Sequence, residues 1–174
     1  MDRHLTGNER HFQPEELIVT KTDRNGMITY ANPVFLRLSQ LTDREARGAP
    51  HNVIRHPSMP KCIFKLFWDN IQSGREIFAY VVNRATNGDH YWVFAHVTPT
   101  FDAAGQVAGY HSNRRVPDRS VVSQTIEPLY RELLAEEARH QDKASATAAS
   151  LGRLNSVLAA KGVDYDRFIF SLQG

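Results

Sequence analysis

The chain of 174 residues holds a single cysteine, Cys62. That excludes an internal disulfide framework and a cysteine-only zinc site, and it fits a reducing compartment. Long apolar runs are missing as well, with nothing near the ~20 residues that cross a bilayer. Met1 to Gln13 is polar and lacks the apolar core of a signal peptide. The sequence therefore reads as cytoplasmic, with no direct membrane insertion, and any membrane connection has to come through a partner. Charge of one sign is scarce: the net charge is +2, and Arg114-Arg115 is a lone pair among scattered basic residues. A nucleic-acid surface needs a clustered basic face, so no nucleic-acid partner is expected. There is no internal repeat, and the only biased tract is the alanine-rich stretch 144–149. The 8 histidines fall into no metal-motif spacing. No nucleophile–base pair and no phosphate-cradling loop is evident, so the chain reads as a non-enzyme.

What is present has the pattern of one α+β domain followed by a tail. Asp23-Arg24-Asn25-Gly26, Thr86-Asn87-Gly88-Asp89 and Asp102-Ala103-Ala104-Gly105 separate runs rich in Val, Ile, Tyr, Phe and Trp. Such turns between such runs predict hairpins. The five runs give one hairpin first (17–22 and 27–31) and a three-strand meander later (77–84, 90–100 and 106–115). A lone hairpin is marginal in water, so both should join one antiparallel sheet.

Between them lie helices. Asn32-Pro33 combines a capping side chain with proline at the first helical position. Thr42 and Glu45 have capping-box spacing. Pro60 opens a helix carrying Phe64, Phe67, Trp68 and Ile71 at intervals of three to four, and Ser73-Gly74 ends it. These helices should cover one face of the five-stranded sheet, leaving a pocket between the layers.

After Pro117 the pattern changes. Val122, Ile126, Leu129 and Leu133 form a helical seam that Pro128 should interrupt. Leu151, Leu154 and Leu158 form a second stripe, which Gly162 is placed to stop. The segment 163–172 is short and unusually apolar for a terminus. The expected division is an N-terminal arm at 1–14, an α+β domain at 15–118 and a helical tail at 119–174.

Two stretches carry a resemblance. Pro50-His51-Asn52-Val53-Ile54-Arg55-His56-Pro57-Ser58-Met59-Pro60 resembles the signature of flavin-binding PAS domains in aerotaxis receptors. Asn83-Arg84-Ala85-Thr86-Asn87-Gly88-Asp89-His90-Tyr91-Trp92-Val93 resembles that family's strand–turn–strand motif. The Asp23–Gly26 turn and Ile28-Thr29-Tyr30-Ala31-Asn32 are similar too, so the likeness covers about residues 15–118. Two departures stand out: Ser58 where the family commonly has aspartate, and Ile77 where it often has tryptophan.

The resemblance implies a PAS fold, FAD as cofactor, and a redox-sensing role in energy taxis. The tail looks most like that of standalone PAS subunits whose transducer is a separate membrane protein. The implied partner is then a membrane-bound chemotaxis transducer of the methyl-accepting type, with a homodimer also possible.

The implied cofactor-binding residues are Asn32, Arg55, His56, Pro57, Met59, Trp68 and Asn83. An arginine fork suits a pyrophosphate; without the motif, Arg55 and His56 would read as a surface arginine beside a loop histidine, and the motif reverses that preference. An amide offers both donor and acceptor to a ring edge whose hydrogen bonding changes on reduction. For Asn32 helix capping is an equal reading, and for Asn83 an edge-strand polar residue is. Trp68 can stack on the ring or sit in a plain core with Phe64 and Phe67. Tyr91 and Trp92 point to opposite sides of their strand, so one of them faces the pocket. The alternative function is a PAS interaction module that binds haem, another small ligand or none.

Overall fold

The computed structural model describes residues 4–173. These form two compact units. The first takes the described residues up to His56 together with Asn70–Val116, and the second takes Pro57–Asp69 with the described residues from Pro117 onward.

The first unit is built on five strands: β1 (Ile18–Asp23), β2 (Ile28–Ala31), β3 (Ile77–Arg84), β4 (His90–Phe101) and β5 (Val107–Arg115). They form one sheet in the order β2-β1-β5-β4-β3, with every neighbouring pair antiparallel. The expected hairpin and meander thus merge through the β1–β5 pairing. Turn chemistry sets the hairpins. Asp23 Oδ1 accepts from the amides of Asn25 and Met27, and Asp102 Oδ1 accepts from those of Ala104 and Gln106.

Two short helices and a turn follow β2. Helix α1 (Pro33–Ser39) is capped by Asn32, and α2 (Asp43–Ala46) starts with the full Thr42–Glu45 capping box. A 3-10 turn spans His51–Ile54. Ile18, Ile28, Phe35, Leu38, Ile54 and Ile77 are among the buried side chains of this unit. Each is worth roughly 1.5–3 kcal/mol relative to exposure.

The described part of the N-terminal arm, residues 4–14, pairs with the β3–β4 turn rather than extending freely. Its Glu9 bridges His90 in parallel, and Thr6 N–H donates to Gly88 O at 3.1 Å. Asp89 fastens the arm, accepting from the Thr6 hydroxyl at 2.6 Å and from Arg10 Nη1 at 3.4 Å.

The second unit is helical. Helix α3 (Lys61–Gln72) begins in it and runs on into the first. It continues with α4 (Arg119–Val121), a π-helical turn (Val122–Ile126), α5 (Glu127–Glu137), α6 (Lys143–Lys161) and α7 (Tyr165–Ser171). Pro128 does not break the seam, contrary to expectation. In the π turn Glu127 N–H donates to Val122 O. The next amide belongs to proline and has no hydrogen to place, so widening the helix here forfeits no bond. Val122, Ile126, Leu129 and Leu133 are all buried. Gly162 ends α6 in the left-handed conformation at φ 66°. The apolar terminus becomes α7, which buries Phe168 and Ile169. No helix among the described residues is long and apolar enough to cross a membrane.

Candidate ligand-binding site

Strand alternation gathers polar side chains onto one face of the sheet in the first unit. Asn83 pairs directly with Tyr91, so their side chains share a face. Two and four residues on, Val93 and Ala95 lie on that face, and Ala95 pairs with Arg114. Arg114 in turn pairs with Ile18, and Ser112 with Thr20. Asn83, Tyr91, Ser112, Arg114 and Thr20 therefore line one surface, with Ile18, Val81, Val93 and Ala95 between them. Tyr91 is the inward member of the aromatic pair, and Trp92 turns to the other face.

Arg114 is the charged centre of this face and is 3% exposed. Its Nη2 donates to the Thr20 hydroxyl and, at 2.8 Å, to His51 Nε2. Its guanidinium carbon lies 5.6 Å from the centre of the Phe35 ring, a cation–π contact. Among the described residues no carboxylate pairs with it. Burial lowers its pKa to about 10, which still leaves it charged at neutral pH.

A guanidinium can only donate, so His51 Nε2 accepts and the ring proton resides on Nδ1. Burial, with the Arg114 charge beside it, pushes the His51 pKa down to about 3. His51 is thus a neutral acceptor that orients Arg114.

Four atoms on this face are buried without a hydrogen-bond partner: Asn83 Nδ2, the Tyr91 hydroxyl, the Ser112 hydroxyl and Arg114 Nη1. Native proteins leave few such groups, because each costs about 1–3 kcal/mol. Burial raises the Tyr91 pKa, so its hydroxyl keeps its hydrogen. All four can donate, Asn83 Nδ2 and Arg114 Nη1 can only donate, and they are set among aliphatic side chains. Such a surface suits a flat apolar body carrying several acceptor atoms along one edge.

The sequence-derived residues are distributed as follows. Asn83 is 5% exposed and lies on this face. Arg55 joins it through backbone pairing with Asn83. His56 is buried, its ring centre 5.8 Å from that of His90. Burial first, then the charges of His90 and Arg84, lower its pKa to about 4, so it is a neutral ring. Asn32 spends its amide on backbone: Oδ1 accepts from Val19 and Phe35 amides, and Nδ2 donates to Leu17 O. Pro57, Met59 and Trp68 belong to the second unit; Met59 is buried and Trp68 is 36% exposed. Thr20, His51, Tyr91, Ser112 and Arg114 were not singled out as ligand residues from sequence. A signal was available for two of them: Ser112 and Arg114 are polar positions two apart on a predicted buried strand.

The comparisons with known proteins agree with this architecture. Residues 28–114 match the family model described as the PAS fold. The chain is 37% identical over 133 residues to the aerotaxis receptor of Escherichia coli (strain K12), a match covering 76% of this chain and 26% of the receptor. It is 29% identical over 118 residues to the nitrogen fixation regulatory protein of Klebsiella pneumoniae, covering 65% of this chain and 22% of that protein. The chain thus spans only about a quarter of the length of the curated relatives it matches. Among solved structures, the light-state LOV domain of the blue-light photoreceptor Aureochrome1 superposes with a TM-score of 0.58 at 17% identity, covering 64% of this chain and 89% of that one. At that identity the likeness speaks for the fold. With half of the chain under the family model and a five-stranded antiparallel sheet beneath it, this chain belongs to the PAS family, and its PAS domain is of the aerotaxis-receptor type.

Proposed function

We propose that this chain is a cytoplasmic flavin sensor, loaded with FAD, that reports redox state to a membrane-bound chemotaxis transducer and carries out no catalysis. The observation that carries the reading is the set of unpartnered buried atoms at Asn83, Tyr91, Ser112 and Arg114. A flavin brings reversible electron transfer and a ring edge whose hydrogen bonding depends on redox state. Asn83 and Arg114 supply donors to such an edge, and the two hydroxyls can donate or accept. Val81, Val93 and Ala95 supply its apolar bed. Neutral His51 keeps Arg114 aimed without cancelling its charge. Arg55, in the segment resembling the family's motif, is the cation for the pyrophosphate, with His56 and Pro57 fixing its loop. Asn32 serves by holding α1 against β1. The assignment of Met59 and Trp68 rests on the motif and on the helix pattern.

Signalling requires that ligand states differ in their contacts. Asn83 is the residue best placed to register such a difference, because its strand is an edge of the sheet and its backbone is tied to Arg55. The helical tail is the surface offered to the transducer or to a second copy of the chain.

The absorbance spectrum of the purified full chain tests the reading. A yellow protein with a bound-flavin spectrum that bleaches on reduction is expected. Colourless protein that takes up no FAD on reconstitution overturns it, and a haem band selects the alternative ligand.

A further inference from the structure

Glu137 ends α5 as a buried carboxylate of the second unit, its side chain 2% exposed. Oε1 accepts from the amides of Lys61 at 2.5 Å and Cys62 at 3.4 Å, and from the Ser150 hydroxyl of α6 at 2.9 Å. Oε2 accepts from Lys61 Nζ at 2.9 Å. One side chain thus joins three helices.

The arrangement answers a local need. The first amides of a helix have no partner within it, and Pro60, which precedes α3, has no side-chain acceptor to offer. The cap comes instead from the tail, as a carboxylate where the helix dipole favours one. Glu137 is buried but the Lys61 side chain is 39% exposed, and an ion pair with one buried partner is a poor way to add stability, since apolar packing does as well or better. Fixing the register of an element with two arrangements is the best-attested use of such a pair. Helix α3 is suited to that role. Its first turn follows the Arg55–Met59 loop with Pro60 alone between them.

We propose that Glu137 is the positioning residue that couples the Arg55–Met59 loop to the tail. Ligand taken up at the loop alters how the amides of Lys61 and Cys62 seat on Glu137, and Glu137 passes the change to α5 directly and to α6 through Ser150. The inference rests on the flavin reading above. By linkage, the cap strengthens ligand binding by the same factor with which the ligand protects the tail.

Hydrogen exchange of the full chain, with FAD bound and stripped, tests this. In the wild type, FAD slows exchange at residues 61–64 and along α5 and α6. In stripped Glu137→Ala, exchange at 61 and 62 quickens roughly tenfold, as loss of a cap implies. The FAD-dependent slowing of α5 and α6 disappears, and FAD affinity falls. Glu137→Gln, which keeps an acceptor oxygen but not the charge, recovers part of the effect. Ser150→Ala leaves α3 capped and removes only the hydrogen bond from Glu137 to α6, so the slowing survives in α5 and is weakened in α6. General loosening would not give that split. Should Glu137→Ala lose its cooperative melt, the other two variants carry the test. The proposal is overturned if α5 and α6 ignore FAD in the wild type, or follow it as fully in Glu137→Ala. A wild type that takes up no FAD fails earlier, on flavin absorbance, and defeats the flavin reading itself.

Discussion

Arg55 pairs with Asn83 across an isolated antiparallel bridge, stitching the loop after the 3-10 turn to edge strand β3. The two stretches that carry the family resemblance therefore meet at the site. Asn83 is fixed twice over, through its backbone to Arg55 and across the ladder to Tyr91, while its Nδ2 remains without a partner. A side chain so constrained and so unsatisfied separates ligand binding from stability.

Asn83→Leu should therefore have opposite effects in stripped and loaded protein. Without ligand it removes a buried unpaired donor at similar volume, which is neutral or stabilising, so the melting temperature holds or rises. With FAD it loses one hydrogen bond, and affinity drops roughly tenfold. Ser112→Ala should follow the same pattern more weakly. Paired thermal melts and FAD titrations check both. A variant that lowers both quantities alike would mean that Asn83 is only structural.

Arg114 calls for a larger effect. A hydrogen bond from a charged donor contributes about 1.5–3 kcal/mol, so Arg114→Met should weaken FAD about ten- to a hundredfold. The stripped protein should keep its stability, because no carboxylate is stranded when this guanidinium goes and the Thr20 hydroxyl, 3.3 Å from His51 Nε2, can donate to that nitrogen instead. Arg114→Lys should recover little, since an ammonium cannot reach Thr20, His51 and a ligand with one planar fork. FAD fluorescence quenching measures all three proteins.

The fold was largely legible in the sequence because its signals are local. Asp-and-Gly turns, the Asn32 and Thr42 caps and the three-to-four spacing in α3 each act within a few residues. The strand boundaries follow from them. Of the expected residues, only Asn83 lies on the polar face of the candidate site, with Arg55 tied to it by backbone pairing. Arg114, Thr20 and His51 come together through β1–β5 pairing and a 3-10 turn, and no local pattern encodes which distant strands pair. Pro128 misled because the rule that proline breaks helices presumes α geometry, and a π turn precedes it. Glu137 was invisible for the same reason as Arg114: its partners lie on α3 and α6, far along the chain.

Gly88 tests whether the N-terminal arm is held as closely as its bonds imply. It sits at φ 95°, and a Cβ there would collide with the carbonyl oxygen of His4. Gly88→Ala combines backbone strain of about 1–3 kcal/mol with displacement of the arm. The melting temperature should fall, and the amide of Thr6, which donates to Gly88 O, should exchange faster. The β3–β4 ladder beyond Arg84 should stay protected. Unchanged exchange at Thr6 would show that the arm is not anchored at this turn.

Two buried neutral histidines set the acid limit of stability. His51 and His56 titrate near 3 and 4 in the folded protein, against about 6.5 for a free imidazole. Above pH 6.5 both rings are neutral whether folded or not, and neither affects the balance. Below it the unfolded chain takes up protons that the native state refuses, so stability falls with falling pH until the folded values are reached. Each refused proton steepens that slope by at most about 1.4 kcal/mol per pH unit. Carboxylates held low by hydrogen bonds, such as Asp89, act in the same direction but only near and below their ordinary range around pH 4. The window from pH 6.5 to about 4.5 therefore isolates the histidines. Across it the wild type should lose melting temperature steadily, His51→Asn and His56→Asn should each flatten the curve, and the double variant should keep only the shallower slope left by His111, which burial also holds below the free value. If the double variant fell as steeply as the wild type, the protons would be going elsewhere, and neutral His51 could not be the group that orients Arg114.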